Sequence, residues 1–257
     1  MLYKTSKGNQ KGTIILMHGN SSSRKIYSQF IDDKSIAQSK VALSFTGHDL
    51  TDTKGLSEGD SLFEIYSNET IRFINSIDDD ILLVGNSIGG HLAIEIASEI
   101  KRLKGIVIMG APPLTNPLNF EEAFIPNEAS NTFLQENPTD EDISNSATIA
   151  VYDKKNVPET VKYFKQTYPK VRKMLADDLA NSRWKNQRDI FVNLDLPKFI
   201  IHGIQDPAVK FEYLQEVKDE CKNDCSIYTI NECGHYPSFE QPEEFSRIMN
   251  LITNSVF

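Results

Sequence analysis

A serine lies in the run Gly85-Asn86-Ser87-Ile88-Gly89-Gly90, directly after the apolar stretch 81–84 and directly before a helical stripe that begins at Leu92. A serine on so sharp a strand-to-helix turn holds its hydroxyl exposed, and the residues two before and two after must be small because the backbones nearly touch. The hydroxyl is a weak nucleophile near neutral pH, so acyl transfer through Ser87 demands a general base and an acid that orients it. Asp206 and His235 fill those roles by position. Asp206 ends His202-Gly203-Ile204-Gln205-Asp206 after the apolar stretch 198–202, and His235 follows Cys233-Gly234 after the stretch 226–230. Glu232 and Glu240 are the rival acids. Among the other histidines, His91 lies on the helix after the turn, His202 ends a strand and His48 sits in a turn. The negative charge of a tetrahedral intermediate also needs backbone donors. Ile88 N–H is one; in His18-Gly19-Asn20-Ser21-Ser22-Ser23 the Asn20 N–H is the expected second and Ser21 N–H its alternative. The same serine-rich run also reads as a plain helix N-cap near Ser22.

Such residues meet only if several strands end at one rim. Apolar runs at 13–17, 41–45, 81–84, 106–109, 198–202 and 226–230, several apolar on both faces, are candidate strands of a buried parallel sheet. Helical stripes alternate with them. One is Leu62, Tyr66, Ile71 and Ile74 behind the capping pair Ser61 and Glu64; another is Leu92, Ile96 and Ile100; a last one is Phe245, Ile248, Met249 and Ile252 behind Pro242. The alternation predicts an α/β fold with a mostly parallel central sheet flanked by helices. Ser87, Asp206 and His235 all fall at carboxyl ends of its strands, where open α/β sheets place their sites. The rhythm breaks over 112–195, which has helical patterns at 141–151, 158–168 and 171–180 but no central strand. It reads as a helical lid inserted into a core of 1–111 and 196–257 rather than as one long loop. Phe124, Phe133, Tyr163, Phe164 and Trp184 are its candidates for lining an acyl pocket, although aromatics at helical spacing serve a core equally well.

The chain of 257 residues carries 27 Lys+Arg against 36 Asp+Glu, a formal net charge of −9. The acidic balance and the absence of a basic block argue against a nucleic-acid partner. With 39% hydrophobic and 25% charged residues the composition is that of a soluble globular protein. The apolar runs are strand-sized, and residues 1–12 are polar, so nothing marks export or membrane insertion. Three cysteines, Cys221, Cys225 and Cys233, are an odd number without metal-ligand spacing. They point to unbridged thiols in a reducing, cytoplasmic compartment and to no metal or other cofactor.

Taken in order, His18-Gly19-Asn20, Gly47-His48-Asp49, Gly85 to Gly90, His202 to Asp206, and Gly234-His235 followed by Glu240-Gln241-Pro242 resemble the serine-nucleophile branch of the α/β-hydrolase superfamily. The resemblance runs from about Thr13 to the C-terminus and implies the α/β-hydrolase fold with a helical lid after the sixth strand. More narrowly, His18 to Ser23, Gly110-Ala111-Pro112-Pro113 and Asn186-Gln187-Arg188-Asp189-Ile190 are similar to segments of the serine-dependent N-acyl-homoserine lactonases of this fold. That similarity implies metal-free opening of the lactone ring, with Ser21 and the lid residues near the substrate and the lid enclosing the acyl chain. The chain departs from the group in four places. Asp206 stands where the group has glutamate, and the group's substrate-facing lid tyrosine falls nearest to Ser146, with Tyr152 close by. Asp49 replaces the usual glycine after Gly47-His48, and the stretch before Thr13 has room for one edge strand, 2–5, rather than a hairpin.

Epoxide hydrolases and haloalkane dehalogenases of the fold carry aspartate where Ser87 stands, and the H-x-H-x-D-H cluster of metallo-β-lactamase-type lactonases is absent. The expectation is a monomeric or homodimeric serine hydrolase that cleaves a small-molecule carboxylic ester or lactone through an acyl-enzyme. The alternatives are a general short-chain carboxylesterase and a non-catalytic ligand-binding protein of the same fold.

Overall fold

The computed structural model describes residues 2–57 and 59–257. The apolar runs become β1 (Leu2–Ser6), β2 (Thr13–Met17), β3 (Ser39–Ser44), β4 (Ile81–Asn86), β5 (Leu103–Met109), β6 (Lys198–Gly203) and β7 (Cys225–Ile230). They form one sheet in the order β1-β3-β2-β4-β5-β6-β7. Only β1 runs antiparallel, against β3. β5 begins earlier than the run 106–109 suggests: Leu103 pairs with Ile81 and Gly105 with Leu82, so exposed Lys104 marks a register shift in the ladder.

Strand side chains alternate between faces, and the two cores follow from that. Ile15, Met17, Ile81, Leu83, Ile106 and Ile108 enter one core, whereas Ile14, Leu16, Leu82, Val84, Val107 and Met109 enter the other. The first core is covered by α1 (Leu62–Ile74) and α2 (Ile88–Ile96). The connection from β5 to β6 holds α3 (Asp140–Ala150), α4 (Val157–Lys165), α5 (Pro169–Ala180) and α6 (Gln187–Asn193). After β6 come α7 (Phe211–Glu220), on the first core, and α8 (Pro242–Val256), on the second. No described helix is long and apolar enough to cross a membrane.

α8 buries Phe245, Ile248, Met249 and Ile252, the stripe read from its spacing. Phe245 is 0% exposed and packs edge-on against Phe30 with ring centroids 5.0 Å apart. Phe245→Ala leaves a cavity there and is expected to lower the unfolding free energy by about 3–5 kcal/mol, read from urea denaturation.

Counted along this chain, the helical insertion follows the fifth strand and not the sixth, because the single strand β1 leads the sheet where a hairpin would supply two. Within the insertion, α5 is tied to the sheet side. Buried Asp178 Oδ2 accepts from Phe63 N–H at 3.0 Å and from the Ser61 hydroxyl at 3.2 Å, a carboxyl at the positive end of α1. α6 has no clean periodicity to announce it: of its seven residues Gln187 and Phe191 are fully buried, and the adjacent Ile190 and Val192 pack partly buried on the first core. Gln187 Oε1 meets His91 Nδ1 at 2.8 Å, so His91 on α2 packs toward α6.

Candidate active site

β3 lies on one side of β2 and β4 on the other, so the loops after β2 and β4 depart in opposite directions. The crevice left at such a switch point lies at the carboxyl ends of the strands. Ser87 sits on its rim at φ 54 and ψ −124, a backbone region costly for a residue with a side chain. The turn is held from both ends. Ser87 N–H donates to Met109 O at 2.7 Å, and β4 approaches α2 so closely that a Cβ on Gly85 would lie 2.2 Å from Gly89 O.

Asp206 and His235 meet. Asp206 follows β6 in a turn closed by its own N–H to Gly203 O at 2.9 Å; its Oδ1 accepts from Ala208 N–H at 2.9 Å. Its Oδ2 lies 3.0 Å from His235 Nδ1. The His235 backbone is fixed by donating to Ala150 O at 2.9 Å and by accepting from Asn86 Nδ2 at 2.9 Å. Its ring lies over Gly110, which has φ 55: a Cβ there would fall 2.5 Å from His235 Cε1. Met109 O holds the Ser87 turn and the His235 ring packs against Gly110, the next residue, so one stretch of backbone helps place both side chains. Among the described residues the Ser87 hydroxyl makes no hydrogen bond; in the absence of substrate such bonds are commonly long or misaligned and tighten only in the complex.

The electrostatics of the pair are opposed and mutual. Burial alone would raise the Asp206 carboxyl, but the charge and hydrogen bond of His235, with the Ala208 N–H, hold it below its ordinary 3.8. Burial alone would lower His235, but the Asp206 charge and hydrogen bond, aided by Glu240, raise it above 6.5.

Neither rival acid faces the imidazole. Glu232 is exposed at φ 51. Glu240 is buried, and burial raises its carboxyl despite three backbone donors: Oε1 accepts from Gly234 and Tyr236 at 3.1 Å each, and Oε2 from Tyr152 at 2.6 Å. It binds the His235 loop to the end of α3.

On the β2 side, Asn20 N–H has no acceptor among the described residues, and Ile88 N–H opens α2, where first-turn N–H groups have no intrahelical acceptor. His18 Nδ1 hydrogen-bonds Gly19 O at 2.7 Å, which orients the trans peptide whose other end is Asn20 N–H. Ser21 N–H is already donated to His48 Nε2 at 3.2 Å, so it is not a free donor. Ser23, not Ser22, is the cap of the following turn, its Oγ accepting from Lys25 N–H. Asp49 adopts φ 52, the conformation that favours glycine, and its carboxylate is held by Arg24 Nη1 at 2.9 Å.

The lid candidates divide. The Phe133 carbonyl accepts from Asn20 Nδ2 at 2.6 Å, and its ring meets buried Phe164 edge-on at 5.6 Å, so these two adjoin the Asn20 loop. Phe124 stacks on Phe120 at 4.5 Å and bridges to Val209 beside the Asp206 turn. Tyr163 is buried facing Phe239, 6.2 Å away. Ser146 is buried on α3. Tyr152 presents its backbone to the site through Glu240, while the residue is 43% exposed. Trp184 is buried in the first core, its indole N–H donating to Thr115 O at 3.2 Å. Asn86, Gly110 and Glu240 were not singled out for these contacts by sequence reasoning; a glycine ending β5 was the visible signal for Gly110. Among the described residues no three His, Cys, Asp or Glu side chains are grouped to hold a metal ion.

A protein named "Putative esterase/lipase 1" from Mycoplasma pneumoniae (strain ATCC 29342 / M129 / Subtype 1) is 23% identical over 267 residues, spanning 96% of this chain and 93% of that one. The structure of N-acyl homoserine lactonase AidH complexed with N-butanoyl homoserine matches with a TM-score of 0.87 at 22% identity, covering 99% of this chain and 92% of that one. Esterase RhEst1 from Rhodococcus sp. ECU1013 matches with a TM-score of 0.81 at 18% identity, over 99% and 94% of the two chains. At these identities the structural likenesses show a shared fold. The alpha/beta hydrolase family itself matches residues 14–248, nearly the whole sheet and the entire β5–β6 insertion. The chain belongs to the alpha/beta hydrolase family.

Proposed function

We propose that this protein is a serine hydrolase that cleaves carboxylic esters or lactones through an acyl-enzyme. The observation that carries the reading is the Asp206–His235 pair, 3.0 Å apart, with the His235 ring against Gly110, the residue after the Met109 carbonyl that holds the Ser87 turn. His235 takes the proton of Ser87 as the hydroxyl attacks the carbonyl, and Asp206 keeps Nδ1 protonated and stabilises the imidazolium. The Asn20 and Ile88 N–H groups receive the oxyanion. His235 then returns the proton to the leaving alkoxide, and water repeats the sequence on the acyl-enzyme. In a lactone the leaving alkoxide remains tethered to the acyl group, so one ring-opened product results.

Residues 112–195 act as a lid over a core of 1–111 and 196–257, joined to the oxyanion loop where the Phe133 carbonyl accepts from Asn20 and Phe164 packs on Phe133. The likeness to a lactonase structure and to esterases makes acyl-homoserine lactones and short-chain esters the two substrate classes to compare. The test is a panel of acyl-homoserine lactones and p-nitrophenyl esters of graded chain length, assayed with EDTA. Turnover of either class that survives EDTA supports the reading; no turnover of any member, or loss of activity to the chelator, counts against it.

The raised imidazole sets a pH dependence. His235 is a base only when neutral, so kcat/KM is expected to be low at acid pH and to rise as pH passes the His235 pKa, above 6.5. A pH–rate profile with its acid limb centred well below 6.5 would contradict the Asp206 pairing.

A further inference from the structure

Behind the Asn20 loop lies a polar cluster that the mechanism above does not use. Ser21 is held at φ 50, and its N–H is taken by His48 Nε2 at 3.2 Å. His48 is 0% exposed. Since Nε2 accepts, the neutral ring carries its proton on Nδ1. That proton faces the Tyr66 hydroxyl oxygen at 3.3 Å, and Tyr66 in turn donates its own hydrogen to Thr46 O at 2.8 Å. Every bond in this chain then runs in one direction, from Ser21 N–H to His48 and from His48 to Tyr66 to Thr46, and Tyr66 is itself 1% exposed.

We propose that His48, oriented by Tyr66, is a positioning residue that locks the Asn20–Ser21 peptide and thereby the aim of the Asn20 oxyanion donor. The inference rests on the serine-hydrolase reading and deepens it. His18 holds the peptide before Asn20 through Gly19 O, and His48 holds the peptide after it through Ser21 N–H. With both planes fixed, Asn20 N–H has one direction. Without His48 the Ser21 N–H loses its acceptor, and the peptide after Asn20 keeps only side-chain contacts, the long Ser21 Oγ bond to Asn20 Oδ1 at 3.4 Å and the Asn20 Nδ2 bond to Phe133 O. The imidazole suits the task because it stays neutral. Burial, then the neighbouring His18 and the Arg172 cation, lower its pKa well below 6.5, against the opposing Thr46 carbonyl. The His18 ring lies 4.8 Å away, edge to face.

The test compares His48→Phe, which keeps a ring but removes the acceptor, with His48→Gln, whose Oε1 can accept from Ser21 N–H. On p-nitrophenyl acetate, His48→Phe is expected to lower kcat about 10- to 100-fold with KM within about twofold, the signature of a misplaced transition-state donor. His48→Gln is expected to recover most of that loss. His48→Phe at wild-type kcat, or His48→Gln falling as far as His48→Phe, overturns the proposal. If His48→Phe does not fold, Tyr66→Phe decides: a kcat loss of at least about threefold at constant KM supports the relay, and unchanged kcat overturns it. Ser87→Ala assayed alongside separates the levels. Full activity there removes the serine reading and this proposal with it, whereas an inactive Ser87→Ala beside a fully active His48→Phe overturns this proposal alone.

Discussion

Ser87→Ala is expected to lower kcat for ester hydrolysis by about 10⁴- to 10⁶-fold while leaving the fold intact. The alanine removes the nucleophile but keeps Asn20 and Ile88 N–H in place, so a residual acceleration of about 10³- to 10⁴-fold over water is expected to survive from those donors and from substrate binding. The fold should be untouched for a local reason. Ser87 is strained at φ 54, and alanine carries the same Cβ into the same conformation, so the strain neither grows nor vanishes. The main anchors of the turn, Ser87 N–H to Met109 O and the Gly85–Gly89 approach, involve no serine hydroxyl. Circular dichroism melts of the two proteins should therefore overlay while their turnover numbers separate. A variant that hydrolyses p-nitrophenyl acetate at the wild-type rate would remove Ser87 from the chemistry.

How much of this was legible beforehand depends on what each feature needs. Buried parallel strands announce themselves because both faces are apolar, and β2, β4 and β6 are buried at every residue. Residues that follow such strands inherit a known place at the rim, so Asp206 and His235, some thirty positions apart in the chain, could be paired before any coordinates. The 3.0 Å contact between them is what that placement anticipated. The insertion was less transparent. Its aromatics recur at helical spacing whether they face a pocket or a core, and Trp184 went to the core because Thr115 O and the first hydrophobic cluster receive it. Tyr152 was legible as a neighbour of the site but not as a backbone donor, since its role depends on Glu240 arriving from 88 residues away. The His48 relay was hidden for the same reason: Tyr66 looks like one more residue of an amphipathic stripe until its hydroxyl is seen against His48 and Thr46.

Asp206→Asn is expected to reduce kcat about 10⁴-fold, and the reason is tautomeric rather than a simple loss of charge. The two carboxylate oxygens have different partners. Oδ1 accepts from Ala208 N–H, which can only donate, and Oδ2 faces His235 Nδ1. Asparagine has one oxygen to offer, and the half-buried Ala208 N–H, which can only donate, claims it. The amide NH₂ is then turned toward His235 Nδ1, which must accept. The neutral imidazole is left with its proton on Nε2, the nitrogen that has to receive the Ser87 proton, and it cannot act as a base. Two consequences follow together. The loss persists across the pH range, because raising the pH does not change which nitrogen of the neutral imidazole carries the proton. The residual His235 titration, with the raising carboxylate gone, moves below its position in the native protein, since burial, which lowers it, is then less opposed. Proton NMR of the imidazole, read with pH–rate profiles of the native and Asp206→Asn proteins, tests both. A variant that reaches native kcat above its own acid limb would show that the tautomer is set elsewhere than by Asp206.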